Sequence, residues 1–329
     1  MLGKIVSELF SSVLKDAKYR SKGGSESYYD ESQLVTAIST KANRLRSYGY
    51  VDAPVVVHIE TMAVCNAACS FCPYEVMERK GHKMPMALIK KVLADLKDIP
   101  PERPLTILPY KVNEPFLDSR IFEICHLIND ELPRASIAFI SNGSALTAGK
   151  IAKLFQLKNV SYLNISLNFC EIEAYESTMK IPFHRTIESL DCLHQKLAEV
   201  GWTTPIRISR VSENKKSDVD FLNFVKSRYP LFSVVIVPRN DWLGNVNAAV
   251  RETKIPDAPC HRWFDFSICS TGEVAMCCMD GNLEYPKGDV SKQHVRDIYN
   301  QPHLLELRRT LPSRRNVKAP CNNCTYLSM

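Results

Sequence analysis

Apolar residues in the middle of the chain follow two alternating periodicities. Short runs rich in β-branched residues are separated by longer segments with apolar side chains at helical spacing. The runs predict strands at Val55–Ile59, Leu105–Leu108, Ser136–Ile140, Tyr162–Leu167, Pro205–Val211 and Phe232–Val237. The segments between them predict helices at Ala87–Asp98, Ser119–Asn129, Ala148–Phe155, Thr186–Val200 and Val219–Arg228. Six such units predict a parallel sheet with its helices outside, either an open wound sheet or an incomplete barrel.

The pattern changes on both sides of this region. Leu2–Tyr19 and Glu31–Arg46 have helical periodicity, and the glycines and Ser/Tyr-rich residues from 23 onward are typical of a linker. After Gly244 we expect a hairpin, formed by 264–268 and 273–276, and a short helix over 295–311. We therefore predict an N-terminal helical extension (1–50), a β/α domain (51–250) and a small cysteine-rich domain (251–329).

Composition is typical of an ordinary globular protein. The chain has 329 residues, is 45% hydrophobic and carries a formal charge of +6, with 42 basic and 36 acidic residues. This modest charge, without interleaved aromatic residues, does not indicate nucleic-acid binding. No apolar run approaches the ~20 residues that span a membrane, and charged residues interrupt the N-terminal segment. We therefore expect a cytoplasmic protein with no membrane partner.

Cysteine usage changes this picture. Twelve cysteines in a long chain without a secretory signal favour metal or redox chemistry over disulfides. Cys65, Cys69 and Cys72 lie within eight residues, and six more cysteines lie between 260 and 324. A closed zinc or iron–sulfur site normally has four protein ligands. Three thiols without a near fourth ligand therefore predict an iron–sulfur cluster with one open iron.

Polar residues follow several of the predicted strands. The cysteine loop follows the first strand, Asn113-Glu114-Pro115 the second and Ser141-Asn142-Gly143 the third. Ser166, Asn168 and Cys170 end the fourth strand, and Arg239, Asp241 and Trp242 follow the sixth. Ligands collect at the carboxyl ends of parallel strands, so we expect these side chains to share one rim.

These motifs resemble those of the radical S-adenosylmethionine (SAM) enzymes. Cys65, Cys69 and Cys72, with Phe71 before the last cysteine, match the CxxxCxΦC motif of that superfamily. Asn113-Glu114-Pro115 is similar to its GGEP motif, with asparagine at a glycine position, and 165–168 is similar to its ISLD strand, with Asn168 replacing aspartate. The C-terminal cysteines resemble a shortened SPASM domain, called a twitch domain.

The resemblance implies a partial (β/α)6 TIM-like barrel and a defined cofactor set. The first three thiolates would hold a [4Fe–4S] cluster whose open iron binds SAM, and one electron would release a 5'-deoxyadenosyl radical. Glu114 would receive the SAM amino group with Asn113 beside it, and Phe71 would lie by the adenine. Asn142 and Ser166 are candidates for the ribose and methionine portions. Either Arg207 or Arg210 would pair with the SAM carboxylate, because a guanidinium suits that contact.

The C-terminal cysteines would hold a second, auxiliary [4Fe–4S] cluster. The resemblance assigns Cys260, Cys277, Cys321 and Cys324, and spacing favours Cys277 over the nearby Cys278 and Cys269. A structural zinc ion is the alternative, because four thiolates with a CxxC pair also describe a zinc ribbon.

Three further residues are candidates for catalysis. Cys170, at the end of the fourth strand, is a candidate to return a hydrogen atom to a substrate radical, or it is a small apolar residue. Arg239 and Asp241 are candidates for the base that deprotonates a substrate radical, or they belong to a surface turn.

Three functions remain open at this level. The first is dehydrogenation or epimerisation of a small polar metabolite, such as a sugar or aminocyclitol. The second is maturation of a peptide or protein, and the third is a metal-stapled binding protein without catalysis. An enzyme of this kind also implies an electron donor, such as a flavodoxin or ferredoxin.

Overall fold

The computed structural model describes residues 20–22, 25–27, 31–213, 216–246 and 254–327. The predicted helix Leu2–Tyr19 and the predicted boundary near residue 250 lie outside these ranges. Strand β1 (Arg20–Lys22) pairs antiparallel with β2 (Ser25–Ser27). We predicted a linker from residue 23 onward, and for 25–27 that was wrong. Two glycines between short runs are a common hairpin signal, which the composition of this segment obscured.

The main sheet contains nine strands among the described residues. Six of them run parallel in chain order, and all six predicted strands are confirmed. The sheet ends at the last of these six strands on one side and at the C-terminal strands on the other, so it is open. The predicted partial barrel is therefore confirmed. The six strands are β3 (Val56–Ile59), β4 (Thr106–Leu108), β5 (Ser136–Ser141), β6 (Val160–Ser166), β7 (Ile206–Val211) and β8 (Ser233–Val237).

Helices cover the outer face of this sheet. Alternate strand residues, such as Ile137, Leu163 and Ile208, are buried in one apolar cluster with helix residues. The side chains between them face the opposite side, as the period of two in a strand requires. One helix, Ile172–Met179, was not predicted, whereas the others were. The helices are α1 (Glu31–Ser47), α2 (Met86–Leu96), α3 (Ile121–Glu131), α4 (Ala148–Leu154), α5 (Ile172–Met179), α6 (Phe183–Val200) and α7 (Lys216–Arg228).

The C-terminal segment extends the same sheet. Strand β9 (Asp265–Ile268) pairs parallel with β3, and β10 (Glu273–Ala275) and β11 (Pro286–Asp289) continue it antiparallel. The predicted helix over 295–311 was wrong in one respect, because it is two helices, α8 (Val295–Tyr299) and α9 (Pro302–Thr310). Pro302 explains the break, since proline lacks the N–H that a continuous helix needs and disfavours helical backbone in the preceding residue.

A short turn joins the C-terminal segment to the first half of the barrel. This bridge turn comprises residues 280–282. Arg79 donates to the carbonyl of Gly281 at 2.7 Å and forms a buried, two-bond ion pair with Glu60, directly after β3. Lys111 Nζ donates to the carbonyl of Asp280 at 2.5 Å. Residues on either side of the cysteine loop are thereby fixed to the segment that follows Cys277 and Cys278.

Candidate active site and cysteine clusters

A cavity of about 400 Å³ opens at the carboxyl ends of the parallel strands and continues between them. It falls within the ~300–1,000 Å³ typical of small-molecule sites. Its walls come from the loops after β3, β4, β5, β6 and β8 and from inward-facing residues of the strands. Among the predicted site residues, the cavity is lined by Cys65, Cys69, Phe71, Cys72, Asn113, Glu114, Asn142, Ser166, Arg207 and Arg210. The predicted rim therefore brings these side chains to one space.

The first three cysteines turn toward this cavity. Cys72 N donates to the carbonyl of Cys69 at 2.9 Å, which closes the loop tightly before Pro73 begins a short 3-10 helix. Burial raises the pKa of the Cys65 thiol to about 12 and that of Cys72 to about 11. Thiolate is the metal-binding form, so metal binding at these thiols would release protons.

The spacing of the thiols fits a cluster better than one metal ion. Among the described residues, His58, Asp265 and Cys278 form the one group of three or more His, Cys, Asp or Glu whose ligand atoms lie within 4.8 Å of one another. Neither predicted set of cysteines is so compact. Tetrahedral zinc with Zn–S bonds of about 2.3 Å would hold its sulfurs roughly 3.8 Å apart. In this arrangement neither set is gathered as closely as one zinc ion requires, and the wider spacing is compatible with a larger inorganic core.

Glu114 lies beside the cysteine loop, at the point where β4 leads into a 3-10 helix. Its carboxylate accepts hydrogen bonds from Asn142 N at 2.7 Å, Ser141 Oγ at 2.8 Å and Phe116 N at 3.1 Å. Burial raises the pKa of Glu114 to about 7, although these bonds oppose the rise. A cation that enters the cavity would stabilise the carboxylate form. The SAM amino group is such a cation.

The turn after β5 holds the next predicted residue. Asn142 Nδ2 donates to Asn66 Oδ1 at 2.9 Å and lies 4.0 Å from Cys65 Sγ. Gly143 follows with φ +80°, and a Cβ there would lie 3.0 Å from a methyl group of Ile165. Glycine is therefore required to keep the turn close to β6. Asn142 thus joins the cysteine loop to the Glu114 carboxylate.

Asn113 and Ser166 have open polar atoms near the same space. Asn113 Oδ1 accepts from Lys111 N at 2.9 Å, but its buried Nδ2 has no partner among the described residues. Ser166 Oγ lies 3.4 Å from Ser209 Oγ on the neighbouring strand. Both residues have hydrogen-bonding capacity for a bound molecule.

The two candidate arginines on β7 have different surroundings. Arg210 is 1% exposed, and its guanidinium contacts Asp218 at 2.7 Å, Glu213 at 2.7 Å and the carbonyl of Asn168. Arg207 lines the cavity and forms no ion pair with a described residue. Of the two, Arg207 is therefore the one with donors available to a ligand.

The three predicted catalytic residues do not line the cavity. Cys170 Sγ donates to Glu171 Oε1 at 3.1 Å, and burial raises the pKa of Cys170 to about 11. Arg239 donates to the carbonyl of Ser70 at 3.1 Å, and Asp241 accepts from Leu243 N at 3.2 Å as a helix cap. In this arrangement Arg239 supports the cysteine loop. The catalytic roles of all three residues stay predictions.

The second set of cysteines gathers near the start of β9. Burial is the main cause that raises the pKa of the Cys277 thiol, and its thiol neighbours Cys278, Cys324, Cys260 and Cys321 raise it further. Trp263 Nε1 donates to Cys321 Sγ at 3.4 Å, and Arg314 Nη1 lies 3.9 Å from Cys324 Sγ. Both are donors suited to thiolate sulfur.

The alternatives to Cys277 lie in other surroundings. Cys278 lines the cavity, where its neighbours are Arg262, Asp265 and Lys111. Cys269 is buried, with Lys111, Glu60 and Arg79 around it. The arrangement therefore supports Cys277 as the fourth member of the second set.

Sequence reasoning missed several residues that line the inner part of the cavity. The missed signal is the period of two, since inward-facing residues alternate with buried apolar residues that pack on the helices. Tyr162, Asn164 and Ser166 alternate in this way along β6. The missed lining residues include His58, Tyr110, Lys111, Tyr162 and Arg262, and Cys278 was considered only as a cluster ligand.

Two protein-family models match the chain. A model described as the radical SAM superfamily matches residues 59–209, and one described as an iron–sulfur cluster-binding domain, SPASM, matches residues 260–325. The first match begins at the end of β3 and includes the cysteine loop, Glu114 and Asn142. The second match begins at Cys260 and includes Cys324.

Several known proteins resemble the whole arrangement. The S-adenosyl-L-methionine-dependent 2-deoxy-scyllo-inosamine dehydrogenase of Niallia circulans is 21% identical over 276 residues, which is 83% of this chain and 94% of the relative. The crystal structure of BtrN in complex with AdoMet and 2-DOIA has a TM-score of 0.59 at 18% identity and covers 84% of this chain and 94% of that one. The crystal structure of Streptococcus suis SuiB bound to the precursor peptide SuiA has a TM-score of 0.64 at 13% identity and covers 98% of this chain and 81% of that one. At these identities the two structures show a shared fold.

The described helices include none with the length and apolar content needed to cross a membrane. The residues at the two cysteine sets fit the cofactors of the matched families, SAM and [4Fe–4S] clusters. The order of the motifs, the open parallel sheet and the two family matches agree with one another. The chain therefore belongs to the radical SAM superfamily of enzymes, in the group with a SPASM or twitch domain.

Proposed function

We propose that this enzyme dehydrogenates a small polar metabolite at a carbinol carbon. The observation that carries the proposal is the cavity, which has several polar side chains in its wall and reaches from the first cysteine set toward the second. The relative from Niallia circulans adds support, because it is named a dehydrogenase and matches this chain over 94% of its own length. We infer a substrate that resembles a sugar or an aminocyclitol in size and polarity.

The residues of the cavity have separate roles in this proposal. Cys65, Cys69 and Cys72 hold the first cluster, and Cys260, Cys277, Cys321 and Cys324 hold the second. When bound, the first cluster supplies the electron that cleaves SAM to a 5'-deoxyadenosyl radical, and the second accepts the electron that the oxidised substrate releases. The substrate thereby loses one hydrogen atom to the deoxyadenosyl group, one proton to a base and one electron.

SAM is oriented by residues at the carboxyl ends of the strands. Glu114 accepts hydrogen bonds from the SAM amino group, and its fixed orientation by Asn142 and Ser141 prepares the carboxylate for that contact. Phe71 packs by the adenine, while Asn113, Asn142 and Ser166 offer polar atoms to the rest of the molecule. A deoxyadenosyl radical attacks most C–H bonds, so these contacts and the enclosing walls restrict it to the bound substrate.

The loop after β8 supports the first cysteine set. Arg239 and Trp242 donate to the carbonyls of Ser70 and Phe71 at 3.1 and 3.0 Å. This loop also contains Asp241, which with Arg239 is our candidate for the base. A flavodoxin or ferredoxin is the proposed source of the first electron, since thiolate-ligated cubanes operate at low potential.

Epimerisation is a second candidate, and one observation favours it. Cys278 lines the cavity and lies outside the second thiol set, so a thiol faces the space proposed for the substrate. A thiol there has a hydrogen atom to return to a substrate radical. The two reactions differ in outcome, because epimerisation keeps the oxidation state of the substrate and dehydrogenation raises it.

Peptide maturation is less well supported. The likeness to SuiB, which was solved with its precursor peptide, shows only a common fold at 13% identity. The cavity is also of a size typical of small-molecule sites. A peptide substrate would have to present one side chain through the open end of this cavity.

The test uses the reconstituted enzyme with SAM, dithionite and a panel of sugars, aminocyclitols and peptides in deuterium oxide. We expect 5'-deoxyadenosine to form in step with a metabolite product that is two mass units lighter and contains no solvent deuterium. A product of unchanged mass plus one deuterium would instead assign epimerisation. If no compound and no reductant yields 5'-deoxyadenosine, the chain is a binding protein and the proposal fails.

A further inference from the structure

The inner end of the cavity contains an arginine with no counter-charge. Arg207 is half-buried and lines the cavity, and its guanidinium lies 4.5 Å above the centre of the Tyr162 ring. None of its N–H groups forms a hydrogen bond or an ion pair with a described residue. Stacking on an aromatic face leaves the edge of a guanidinium open to a planar or tetrahedral anion.

The position of Arg207 separates it from the expected SAM site. In the parallel register, Asn164 pairs with Arg207 and Ser166 pairs with Ser209. Arg207 is thus two residues, or roughly 6.6 Å, below the level of Ser166 in the barrel. Its guanidinium covers Tyr162, which is nearer still to the start of β6. Glu114 and Asn142, by contrast, lie beyond the carboxyl ends of β4 and β5.

Two further cations of the cavity wall lie around the same end. Burial raises the pKa of Tyr162, and Arg207 and Arg262 oppose that rise, so both guanidinium groups are near the phenol. Arg262 is paired with Asp265 at 2.9 Å. Lys111 is 8% exposed and donates to the carbonyl of Asp280, but no described carboxylate lies within 4.0 Å of its Nζ.

The charges of the cavity wall are unbalanced. Its basic side chains are Lys111, Arg207, Arg210 and Arg262, and its one carboxylate is Glu114. Arg210 is neutralised by Asp218, outside the cavity. Arg262 is likewise paired with Asp265, so Arg207 and Lys111 are the basic side chains of the wall that lack a carboxylate partner among the described residues, and a cation that loses water without gaining a partner is costly.

A metal ion and the thiolates of the second set account for these cations less well than a bound anion does. His58, Asp265 and Cys278 are close enough together to bind a metal ion, and both ring nitrogens of His58 lack a partner among the described residues. Arg262 and Lys111 lie beside this group and would repel a metal cation. The thiolates of the second set have cations of their own, since Arg314 contacts Cys324 and Lys287 lies near Cys277.

We propose that the substrate carries an anionic group, a carboxylate or a phosphate, which Arg207 binds at the inner end of the cavity within the positive field of Lys111 and Arg262. This inference rests on the proposed function and narrows its substrate class to sugar acids or sugar phosphates. It also separates this enzyme from the relative whose named substrate is an amine. His58 lines the same cavity and offers a ring nitrogen to a neutral hydroxyl of the same substrate.

The test measures ion binding to the two-cluster holoenzyme saturated with SAM. Inorganic phosphate and acetate are titrated separately by calorimetry, under anaerobic conditions, against wild type, Arg207→Gln and Arg207→Lys. We expect one of the two ions to bind wild type and to bind Arg207→Gln roughly tenfold more weakly or worse. Arg207→Lys recovers part of the affinity, and the affinity for SAM stays unchanged in all three. The ion that binds tells phosphate from carboxylate.

Arg228→Gln is the matched control, because Arg228 pairs with Asp191 on the exposed surface and should leave ion binding unchanged. If Arg207→Gln does not retain iron, Lys111→Met is tested instead. We expect Lys111→Met to bind the ion more weakly than wild type. The proposal is overturned if neither ion binds, if Arg207→Gln binds as wild type, or if Arg207→Gln loses SAM instead. Failure of the proposed function is distinct, because wild type would then make no 5'-deoxyadenosine or no product two mass units lighter, whichever ion binds.

Discussion

Removing Arg210 should destabilise the protein, although this residue was a candidate to bind SAM. Its side chain is 1% exposed, and that of its partner Asp218 is 0% exposed, with 2.7 Å between Arg210 Nε and Asp218 Oδ1. Its other carboxylate partner, Glu213, is 41% exposed, so it contributes little. The cost of Arg210→Met is therefore mainly the loss of the buried ion pair with Asp218.

The loss of one partner from a buried ion pair costs about 3–5 kcal/mol. For a chain of 329 residues this lowers the melting temperature by about 4–7 °C. Asp218 keeps a hydrogen bond from Ser212 Oγ at 2.6 Å, which places the expected value toward the lower end. The double variant Arg210→Met/Asp218→Leu should recover most of the loss, because both members of the buried ion pair are then replaced by apolar residues.

The assay is thermal unfolding of the reconstituted protein followed by circular dichroism, with SAM affinity measured in parallel. Arg207→Met is the matched control, since it lies on the same strand but has no ion pair, and it should lower the melting temperature by less than about 2 °C. The reasoning is refuted if Arg210→Met unfolds like wild type but no longer binds SAM. It is also refuted if Arg210→Met and Arg207→Met lower the melting temperature equally.

Two further predictions concern the cofactor sites. Burial raises the pKa of Glu114 to about 7, so its carboxyl becomes neutral at lower pH. The Kd for SAM should therefore rise as the pH falls from 8 to 6, and the increase should approach tenfold per pH unit below the pKa. Glu114→Gln should bind SAM weakly with a flat pH profile, and an equally flat wild-type profile would contradict the assigned contact. Cys277→Ser should lower the iron content from about eight to about four per chain or fewer, whereas Cys278→Ser should keep about eight. The reverse pattern would exchange the roles of the two cysteines.

Most of the barrel was predictable because its signals are local. The six strands are short β-rich runs between helical segments, and β3 differs from the prediction by one residue at its start. The pairing of β9 with β3 was not predictable in this way, because it joins segments about 200 residues apart and depends on packing. Pro302 indicates the break between α8 and α9 from the sequence alone, but the predicted helix continued through it.

The site was predicted where motifs define it and missed where geometry does. Glu114 and the three cysteines lie in motifs, so their shared cavity followed from strand order. The difference between Arg207 and Arg210 follows from the partners of each, and Asp218 becomes visible only when α7 is placed beside β7. Spacing favoured Cys277 over Cys278, but the backbone was needed to show that Cys278 is the one of these two adjacent residues that lines the cavity.

The bridge turn at 280–282 couples the two cysteine sets thermodynamically. Arg79, Lys111 and the main chain after Cys278 form one hydrogen-bonded unit, so ordering either cysteine segment lowers the entropic cost of ordering the other. Such coupling is reciprocal: whatever the second cluster contributes to assembly of the first, the first contributes to the second. Cluster insertion in this enzyme should therefore be cooperative, with chains holding both clusters or neither more abundant than chains holding one.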